Sequence, residues 1–498
     1  MNIKRSDART ASIPGERYTP FALAKKLGAL AILESASFTH GRDRYSIILA
    51  REAFRVRQDD SGVRFTIDGR DVPYSGGDIL DALLEVAAQN VLPPDGIPLP
   101  AAGIGYLGYE FCKRCDTIRL EGQTDSLELP ESEFIVGHVY LVFDHFTDTI
   151  HVFALNYDQH EIDLEEAVTD ITRRLGDLDF SYLAAPTGTK PSRVVSDEKD
   201  SHDRFVSGVT KIKEHIVAGN LLQAVMSRRL VLESDEEALE AYRRLRSKSP
   251  SPYLFYLDFG AYQLIGASPE SLVRVRDSVA SIRPIAGTRR RGADAAEDEV
   301  LKKELLADPK ERAEHLMLVD LARNDLGRVC LPGSVRVARS MDVEPFSHVM
   351  HIVSDVVGQT ASVASGAGTR SRGIDVLRAA FPAGTVSGAP KIRAIEILSG
   401  LESVRRGFYA GAVGYVEPDG DLDFCIAIRC ALRKGKNWVL QAGAGIVHAS
   451  DPEREWEETN EKLMAMRATL ESGAAGGNGS VSADAAGEKL SAKEGVMR

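Results

Sequence analysis

The chain has few cysteines and no long hydrophobic run. Its 498 residues include five cysteines, an odd number that does not suit a disulfide framework. No run of apolar residues is long enough to cross a membrane, and the first twenty residues contain no hydrophobic segment of a signal peptide. We therefore expect reduced thiols and a cytoplasmic location.

Positive charge is also in deficit. The sequence has 61 lysines and arginines against 73 aspartates and glutamates, a formal net charge of −12. This balance argues against a surface for nucleic acid or for an anionic membrane. If the protein binds an anionic substrate, it must concentrate positive charge locally or use a metal ion.

Two chemical signatures are absent as well. No cysteine lies in a G-x-C-x-G turn of the type that carries the nucleophile of a glutamine-hydrolysing amidotransferase. There is no G-x-x-x-x-G-K-[ST] phosphate loop, which argues against a nucleotide-binding protein. Cys112 and Cys115 have the spacing of half a zinc site, but no second half follows, so we interpret them as incidental thiols.

The sequence divides into regions of different composition. Residues 1–183 alternate short β-rich runs with helical stretches, and residues 184–200 form a polar linker. Residues 201–470 interleave strands and helices without a βαβ rhythm, which indicates an α+β fold with antiparallel sheets. Residues 471–498 are small and polar, so we expect a disordered tail.

The segment FPAGTVSGAPK (381–391) is the most informative motif. Its glycines and prolines prevent it from continuing a helix or a central strand. Its hydroxyl and N–H groups could face an anion near the start of the helix that Lys391 begins. A tight strand-to-helix connection without a ligand is the alternative.

This segment and others resemble the chorismate-utilising enzymes and, among them, the large subunits (component I) of anthranilate synthases. The resemblance covers roughly residues 21 to 470, and the motifs keep their order. They are ILESAS (32–37), AGNLLQAVMSRR (218–229), SPYLFYL (251–257), GASPESL (266–272), RPIAGTRRRG (283–292), KERAEHLMLVDLARNDLGR (310–328), RGFYAGAVGY (406–415), DFCIAIRCAL (423–432) and QAGAGIVHASDPEREWEET (441–459). The resemblance implies the fold of chorismate-binding enzymes, with large antiparallel sheets packed as a sandwich and surrounded by helices.

The resemblance also implies an activity. Chorismate and ammonia would give anthranilate and pyruvate for tryptophan biosynthesis, with ammonia supplied by a glutamine amidotransferase small subunit (component II) in a heterotetramer. Tryptophan would be a feedback inhibitor. Three alternatives stay open: an enzyme that stops at aminodeoxyisochorismate, an aminodeoxychorismate synthase component I, and a silent amino-acid-sensing subunit. Ala286 disfavours the second, because many such enzymes carry a lysine there.

A magnesium site is implied by matched carboxylates. Glu314 and Glu458 match family positions that bind Mg²⁺, and Lys462 matches a substrate-binding position. Glu455, Glu458 and Lys462 fall at i, i+3 and i+7, on one face of the last helix, so Glu455 joins the predicted metal set. Carboxylates suit a hard cation that keeps several waters. The alternative is a solvated Glu–Lys pair on the helix surface.

Chorismate carries two carboxylates. Alternation along DFCIAIRCAL places Arg429 on an apolar face of one strand, where an unpaired guanidinium group would be costly. The resemblance pairs Arg429 and Tyr409 with the enolpyruvyl carboxylate. Gly443 and Gly445 permit close backbone approach. The other residues predicted to complete the substrate site are Gly287, Thr288, Thr385 and Ala442.

Three further residues match catalytic positions of the family. Glu270 is the predicted acid for the departing 4-hydroxyl group, which requires a carboxyl group protonated near neutral pH. Gln223 stands where water-adding relatives carry a lysine base, and it can hydrogen-bond ammonia, which favours amination. His351 matches the histidine associated with loss of pyruvate, and a core histidine is the alternative.

The first part of the chain resembles the tryptophan pocket of feedback-inhibited large subunits. The predicted pocket combines an acceptor for an ammonium group, donors for a carboxylate and an apolar slot. The alternative is that LES simply begins a strand. The pocket residues are Glu34, Ser35, Tyr45, Ser46, Pro252, Tyr253 and Leu254.

Overall fold

The structure is a computed structural model of the chain. It describes residues 8–37, 41–42, 44–93, 96–177, 190–345, 349–365 and 368–471. The predicted disordered tail therefore lies outside the described residues, except for Glu471, which ends the last helix. In the described ranges no helix is long and apolar enough to cross a membrane.

The strands of the described residues, in chain order, are β1 (Ala8–Pro14), β2 (Ala31–Glu34), β3 (Ala36–Ser37), β4 (Gly41–Arg42), β5 (Tyr45–Asp59), β6 (Gly62–Ile67), β7 (Arg70–Pro73), β8 (Ile104–Leu107), β9 (Ser132–Asp144), β10 (Thr149–Leu155), β11 (Ser192–Val194), β12 (Gln223–Ser234), β13 (Tyr253–Asp258), β14 (Gln263–Ser268), β15 (Ser271–Arg276), β16 (Val279–Ile282), β17 (Ile285–Arg290), β18 (Arg336–Pro345), β19 (Val349–Gln359), β20 (Ser362–Ser365), β21 (Gly368–Ser371), β22 (Gly388–Ala389), β23 (Ala412–Val416), β24 (Leu422–Ile426), β25 (Cys430–Lys434) and β26 (Asn437–Ile446).

The helices are α1 (Pro20–Leu27), α2 (Ile79–Ala87), α3 (Cys112–Cys115), α4 (Leu164–Gly176), α5 (Glu198–Val217), α6 (Ala238–Lys248), α7 (Ala295–Ala307), α8 (Pro309–Gly327), α9 (Gly373–Ala380), α10 (Lys391–Leu401) and α11 (Pro452–Glu471), with 3-10 turns at Tyr109–Phe111 and Gly384–Val386.

The strands pair into two antiparallel layers that share β5 and β9. One layer runs β1–β10–β9–β5–β2–β13–β14–β25–β26–β12. The other runs β7–β6–β5–β9–β8–β23–β24–β15–β16–β19. The N-terminal half of β5 belongs to the first layer and its C-terminal half to the second, so the two layers form one hydrogen-bonded system.

Side-chain alternation in the strands builds a core on each face of the first layer. In β13, Phe255 and Leu257 enter the cluster between the two layers, together with Phe424 of the second layer. Leu254 and Tyr256 point the other way, into a second cluster that α1, α4, α6 and α11 cover. The predicted α+β fold, a sandwich of large antiparallel sheets with surrounding helices, is confirmed.

The two main predicted regions are joined within this system. Strand β2 of the first region pairs with β13 of the second. The described part of the predicted linker 184–200 contains β11, which pairs with β12, and the start of α5. The division of the chain at this linker stays a prediction.

The prediction of one continuous strand over DFCIAIRCAL is wrong. Strand β24 ends at Ile426 and β25 begins at Cys430, while the backbone at Arg429 has a φ angle of 51°. β24 pairs within the second layer and β25 within the first, so the chain crosses between layers here. Apolar residues line both strands, and their alternation therefore could not reveal the crossing. The crossing between layers places Arg429 at a corner where the two layers meet.

Candidate functional site

The segment 381–391 is fixed by neighbouring elements on both sides. It contains a 3-10 turn and the two-residue strand β22, which pairs with the start of β12, and Lys391 begins α10. Ser387 accepts a backbone hydrogen bond from Val225 (N···O 2.9 Å). The Lys391 ammonium group donates to both carboxylate oxygens of Asp325 at 2.8 and 2.9 Å. The predicted interruption of helix and strand is confirmed, and the turn sets Thr385 beside β12.

Glu270 lies next to Thr385 in the turn between β14 and β15. Loss of solvent around its carboxyl group raises the pKa of Glu270 to about 7, while the Thr385 hydroxyl and the Lys462 ammonium group act to lower it. A cavity of ≈ 40 Å³, lined also by Leu321 and Asp325, borders both residues. Glu270 can therefore be protonated near neutral pH, as an acid must be.

Lys462 joins the last helix to strand β26. Its ammonium group donates to the carbonyl oxygen of Gly443 (Nζ···O 2.8 Å) and forms an ion pair with Glu458 (2.7 Å). The start of this helix is stabilised by a cap, because the Asp451 side chain accepts a hydrogen bond from the backbone N–H of Arg454.

Two glycines of β26 allow other side chains to approach its backbone. A Cβ atom at Gly443 would lie 3.0 Å from the Tyr409 hydroxyl oxygen and 2.9 Å from the Met226 carbonyl oxygen. A Cβ atom at Gly445 would lie 2.6 Å from the side-chain amide nitrogen (Nε2) of Gln223. Larger residues at either position would collide with these groups. Gln223 and Tyr409 thus meet the same strand, one over each glycine.

Ala442 differs from its glycine neighbours. Its side chain packs into the cluster on the outer face of the first layer, beneath the helices. The adjacent Gly443 lies on the opposite face, against Tyr409. Ala442 can therefore offer only its backbone to a ligand on the Tyr409 side.

The Arg429 guanidinium group is partly buried at the corner between β24 and β25. It forms no hydrogen bond or ion pair with the part of the chain that the structure describes. Burial lowers the pKa of Arg429, and the nearby Tyr409 and Glu458 act to raise it. A cation that lacks a protein partner in such a setting is suited to a bound anion.

His351 on β19 faces β17. Its Nδ1 lies 3.1 Å from the Gly287 carbonyl oxygen and 3.1 Å from the Thr288 hydroxyl oxygen. Because a carbonyl oxygen only accepts, Nδ1 carries the proton and Nε2 is the basic nitrogen. Burial lowers the pKa of His351, and the positive charge of Arg429 lowers it further, so the ring is neutral at pH 7.

The carboxylate of Glu458 on α11 influences those of Glu314 on α8 and Glu455 on α11 electrostatically. Burial raises the pKa of Glu314, and the Glu458 carboxylate contributes in the same direction. Burial also raises the pKa of Glu455, where Glu458 again adds to the effect. Lys310 and Lys462 partly offset this repulsion. Clustered carboxylates of this kind are stabilised by a cation.

This donor set fits Mg²⁺ better than a metal fully enclosed by protein. Among the described residues, no three His, Cys, Asp or Glu side chains lie together in a way that could hold a metal ion. Mg²⁺ usually takes one or two carboxylates and keeps water or substrate oxygens as its other ligands. One or two of Glu314, Glu455 and Glu458 could supply those carboxylates.

Sequence reasoning missed Glu311, which belongs to the same cluster. Its carboxylate raises the pKa of Glu314, and its Oε2 would lie 3.2 Å from a Cβ atom at Gly287. The signal was present, because Glu311 and Glu314 have the same i, i+3 spacing as Glu455 and Glu458. Two such pairs on two helices indicate a shared site.

The structure brings part of the predicted tryptophan pocket together. Glu34 pairs across the sheet with Leu254, and the pairing of β2 with β5 places Ser46 beside Glu34. The Glu34 carboxylate accepts a hydrogen bond from the Tyr242 hydroxyl (2.7 Å) and forms an ion pair with Arg246 (3.1 Å). Its acceptor capacity is therefore shared with two protein groups.

The remaining pocket residues lie around this group. Ser35 and Pro252 flank it along β2 and β13, and Tyr45 begins β5, next to Ser46. The Ser46 hydroxyl lies 2.8 Å from Nε2 of His145. Tyr253 points to the other face of β13, where its hydroxyl donates to Asp423 (3.0 Å). Tyr253 is thus not brought together with the Glu34 side chain.

Comparisons with known proteins match nearly the whole chain. The family model described as chorismate binding enzyme matches residues 45–468. The chain is 55% identical over 461 residues to anthranilate synthase component 1 of Spirochaeta aurantia, and the match covers 92% of this chain and 94% of that protein.

Solved structures agree on the fold. The crystal structure of anthranilate synthase component I from Streptococcus pneumoniae matches with a TM-score of 0.73 at 34% identity, over 85% of this chain and 92% of that one. The menaquinone-specific isochorismate synthase of Escherichia coli matches with a TM-score of 0.69 over 93% of this chain and 95% of that one. At 19% identity this second likeness concerns the fold alone.

Proposed function

Because the chain belongs to the chorismate binding enzyme family, we propose that it acts as the large subunit of an anthranilate synthase. The reaction converts chorismate and ammonia into anthranilate, pyruvate and water. The observation that carries this choice within the family is the 55% identity to an anthranilate synthase component 1 over 92% of the chain. The arrangement of Gln223, Glu270 and Arg429 supports it.

Substrate binding depends on two positively charged groups. Arg429, which forms no ion pair in the described residues, binds the enolpyruvyl carboxylate together with the Tyr409 hydroxyl. Lys462 and the backbone of Gly443 and Gly445 border the same space and orient the rest of the molecule. Local positive charge thus compensates for the acidic composition of the chain.

Mg²⁺ would be held by Glu314 and Glu458, and Glu455 lies on the same face of α11 as Glu458. When bound, the ion neutralises the ring carboxylate, which makes the ring a better acceptor of a nucleophile. The lysines at 310 and 462 limit the net negative charge of this cluster.

The first chemical step adds ammonia to the ring and removes the 4-hydroxyl group as water. The Gln223 amide hydrogen-bonds ammonia, which needs no general base because it already carries a lone pair. Protonated Glu270 donates its proton to the departing oxygen, and its pKa of about 7 keeps that proton available near neutral pH. The product of this step is aminodeoxyisochorismate.

The second step releases pyruvate and makes the ring aromatic. The aminated ring carbon must lose its proton while the bond to the enolpyruvyl oxygen breaks. Neutral His351, with Nδ1–H directed to the Gly287 carbonyl oxygen, presents Nε2 as the proton acceptor. Thr288 helps to fix the ring orientation.

Ammonia comes from a separate glutaminase subunit, component II, since this sequence has no nucleophile turn for glutamine hydrolysis. We further propose a heterotetramer and a cytoplasmic enzyme of tryptophan biosynthesis. Tryptophan would bind at the Glu34, Ser35, Ser46 and Leu254 group and inhibit.

The nitrogen source tests this proposal. Purified chain with chorismate and Mg²⁺ should form anthranilate with an ammonium salt, at a rate that rises with pH as the fraction of free ammonia increases. It should form none with glutamine alone, and added glutaminase subunit should restore the use of glutamine. Glutamine use by the isolated chain would contradict the need for a separate subunit.

A further inference from the structure

Arg406 is the largest charged side chain enclosed in the described part of the fold. It is 1% exposed and stands at the start of the RGFYAGAVGY motif. Its Nε and Nη2 donate to the two carboxylate oxygens of Glu402, each at 2.7 Å. Nη1 donates to the Val386 carbonyl oxygen at 2.8 Å, and Nη2 also donates to the Val225 carbonyl oxygen at 2.7 Å.

The partner Glu402 is itself fixed. Its Oε1 accepts hydrogen bonds from the backbone N–H and the hydroxyl group of Ser227 at 2.9 and 2.8 Å. The backbone of Arg406 is held as well, because its N–H donates to Glu110 (2.8 Å). The guanidinium group therefore occupies one position, with its fork of donors pre-oriented.

The two carbonyl groups belong to segments that carry reacting residues. Val386 directly follows Thr385, the neighbour of Glu270. Val225 lies two residues after Gln223 on β12, so both side chains point to the same side of that strand. The guanidinium carbon also lies 5.9 Å from the ring centre of Tyr409. One side chain thus contacts the three segments that bring acid, ammonia-binding amide and substrate-binding phenol together.

We propose that Arg406, held by Glu402, is a positioning residue that fixes Thr385 and Gln223 relative to one another. This inference rests on the proposed aminating function. The pair buries two charges, and such pairs are often replaceable by apolar residues without loss of stability. A bidentate fork that also reaches two carbonyl groups instead defines geometry, and a misplacement of about 1 Å between reacting groups can reduce a rate about 100-fold.

The test compares two conservative variants with a matched control. Arg406→Lys keeps the charge, but a single ammonium group cannot reproduce the fork to Glu402 and both carbonyls. Glu402→Gln keeps the size and removes the charge that orients Arg406. The control is Glu133→Gln, which alters another fully buried carboxylate, on strand β9. Glu133 accepts a hydrogen bond from Arg57 on β5 (2.7 Å) and lies outside the three segments that Arg406 contacts.

Steady-state rates are measured with ammonium and chorismate, well below each variant's Tm. We expect kcat to fall about 100-fold in Arg406→Lys and Glu402→Gln, with a raised KM for ammonium because Gln223 is displaced. The KM for chorismate should rise less than the KM for ammonium, since Arg429 and Lys462 lie on segments that Arg406 does not hold, although Tyr409 lies within its reach. Glu133→Gln should lower Tm and leave both KM values unchanged.

Two results would overturn the inference. If the variants at 402 and 406 lower Tm as the control does but keep kcat and the KM for ammonium, the pair is only structural. If Glu402→Gln yields no folded protein, the pair is likewise required for folding and not for position. Because every rate is compared with that of the unmodified chain, absence of anthranilate from that chain would contradict the proposed function instead.

Discussion

Lys462 donates a hydrogen bond from its ammonium group to the carbonyl oxygen of Gly443, with a Nζ···O distance of 2.8 Å. This contact attaches α11 to β26. It also sets the Lys462 charge between Glu458, its ion-pair partner, and Glu270, whose pKa it lowers. The carboxylates of the proposed metal site, the proposed acid and the glycine strand are therefore coupled through one lysine.

The acid role of Glu270 predicts a specific pH dependence. The carboxyl group donates only when protonated, so kcat, corrected for the fraction of free ammonia, should fall as the pH rises above about 7. Glu270→Gln should lower kcat by at least about 100-fold. Thr385→Val removes the hydroxyl group that acts to lower this pKa, so the alkaline limb should move to higher pH.

Thr172→Val is the control for the threonine substitution, since among the described residues the Thr172 hydroxyl bonds only within α4, to the Val168 carbonyl oxygen (2.8 Å). It should leave the pH profile unchanged. A profile in Thr385→Val that is flat through pH 7, or shifted to lower pH, would contradict the assignment of Glu270 as the acid.

The carboxylate cluster predicts a requirement for Mg²⁺. Activity should be lost with EDTA and return when Mg²⁺ is added. Glu314→Ala and Glu458→Ala should raise the Mg²⁺ concentration for half-maximal rate at least about tenfold while the fold stays intact. Glu457→Ala, on the exposed side of α11, is the matched control and should behave like the unmodified chain. Normal activity of either cluster variant would remove that residue from the metal site.

Gln223 determines the nucleophile in this account. Gln223→Lys supplies a base and loses the amide that lies against Gly445, so amination should fall by about 100-fold. Trace isochorismate should form, because the new base can activate water. Product analysis by chromatography measures both. Anthranilate formation at an unchanged rate would show that Gln223 does not face the incoming nucleophile.

Inhibition by tryptophan requires a site whose ligand favours one arrangement of the protein. Ser35 lies next to Glu34 and near Pro252, where a bulky residue would fill the proposed slot. We expect tryptophan to inhibit the unmodified chain, and Ser35→Phe to relieve inhibition while uninhibited turnover stays within about twofold. Indifference of the unmodified chain to millimolar tryptophan would refute the pocket. Loss of both activity and inhibition in Ser35→Phe would indicate that LES is only a core strand element.

Local patterns predicted much of the fold. The β-rich runs and the common face of Glu455, Glu458 and Lys462 on the last helix depend on near neighbours in sequence, and Lys462 indeed forms an ion pair with Glu458 (2.7 Å). The crossing between layers at Arg429 could not be predicted in the same way. It depends on which distant strands pair with β24 and β25, and apolar alternation is the same in either case.

For the candidate site too, the sequence predicted individual residues better than contacts between residues far apart in the chain. Motif matches identified side chains that the fold brings together, such as Gln223, Glu270 and Lys462. They could not show that Glu34 is already engaged by Arg246, since that contact joins residues far apart in sequence. The role of Arg406 was also invisible, because two of its four side-chain hydrogen bonds go to backbone carbonyl groups far away in sequence, which carry no sequence signature.

The identity of the product distinguishes an anthranilate synthase from other enzymes that use chorismate. Purified chain is incubated with chorismate, ¹⁵N-labelled ammonium and Mg²⁺, and the products are separated by chromatography and identified by mass spectrometry. An anthranilate synthase should form ¹⁵N-anthranilate and pyruvate in equal amounts. Accumulation of aminodeoxyisochorismate, 4-amino-4-deoxychorismate or unlabelled isochorismate as the end product, or no turnover of chorismate at all, would contradict it.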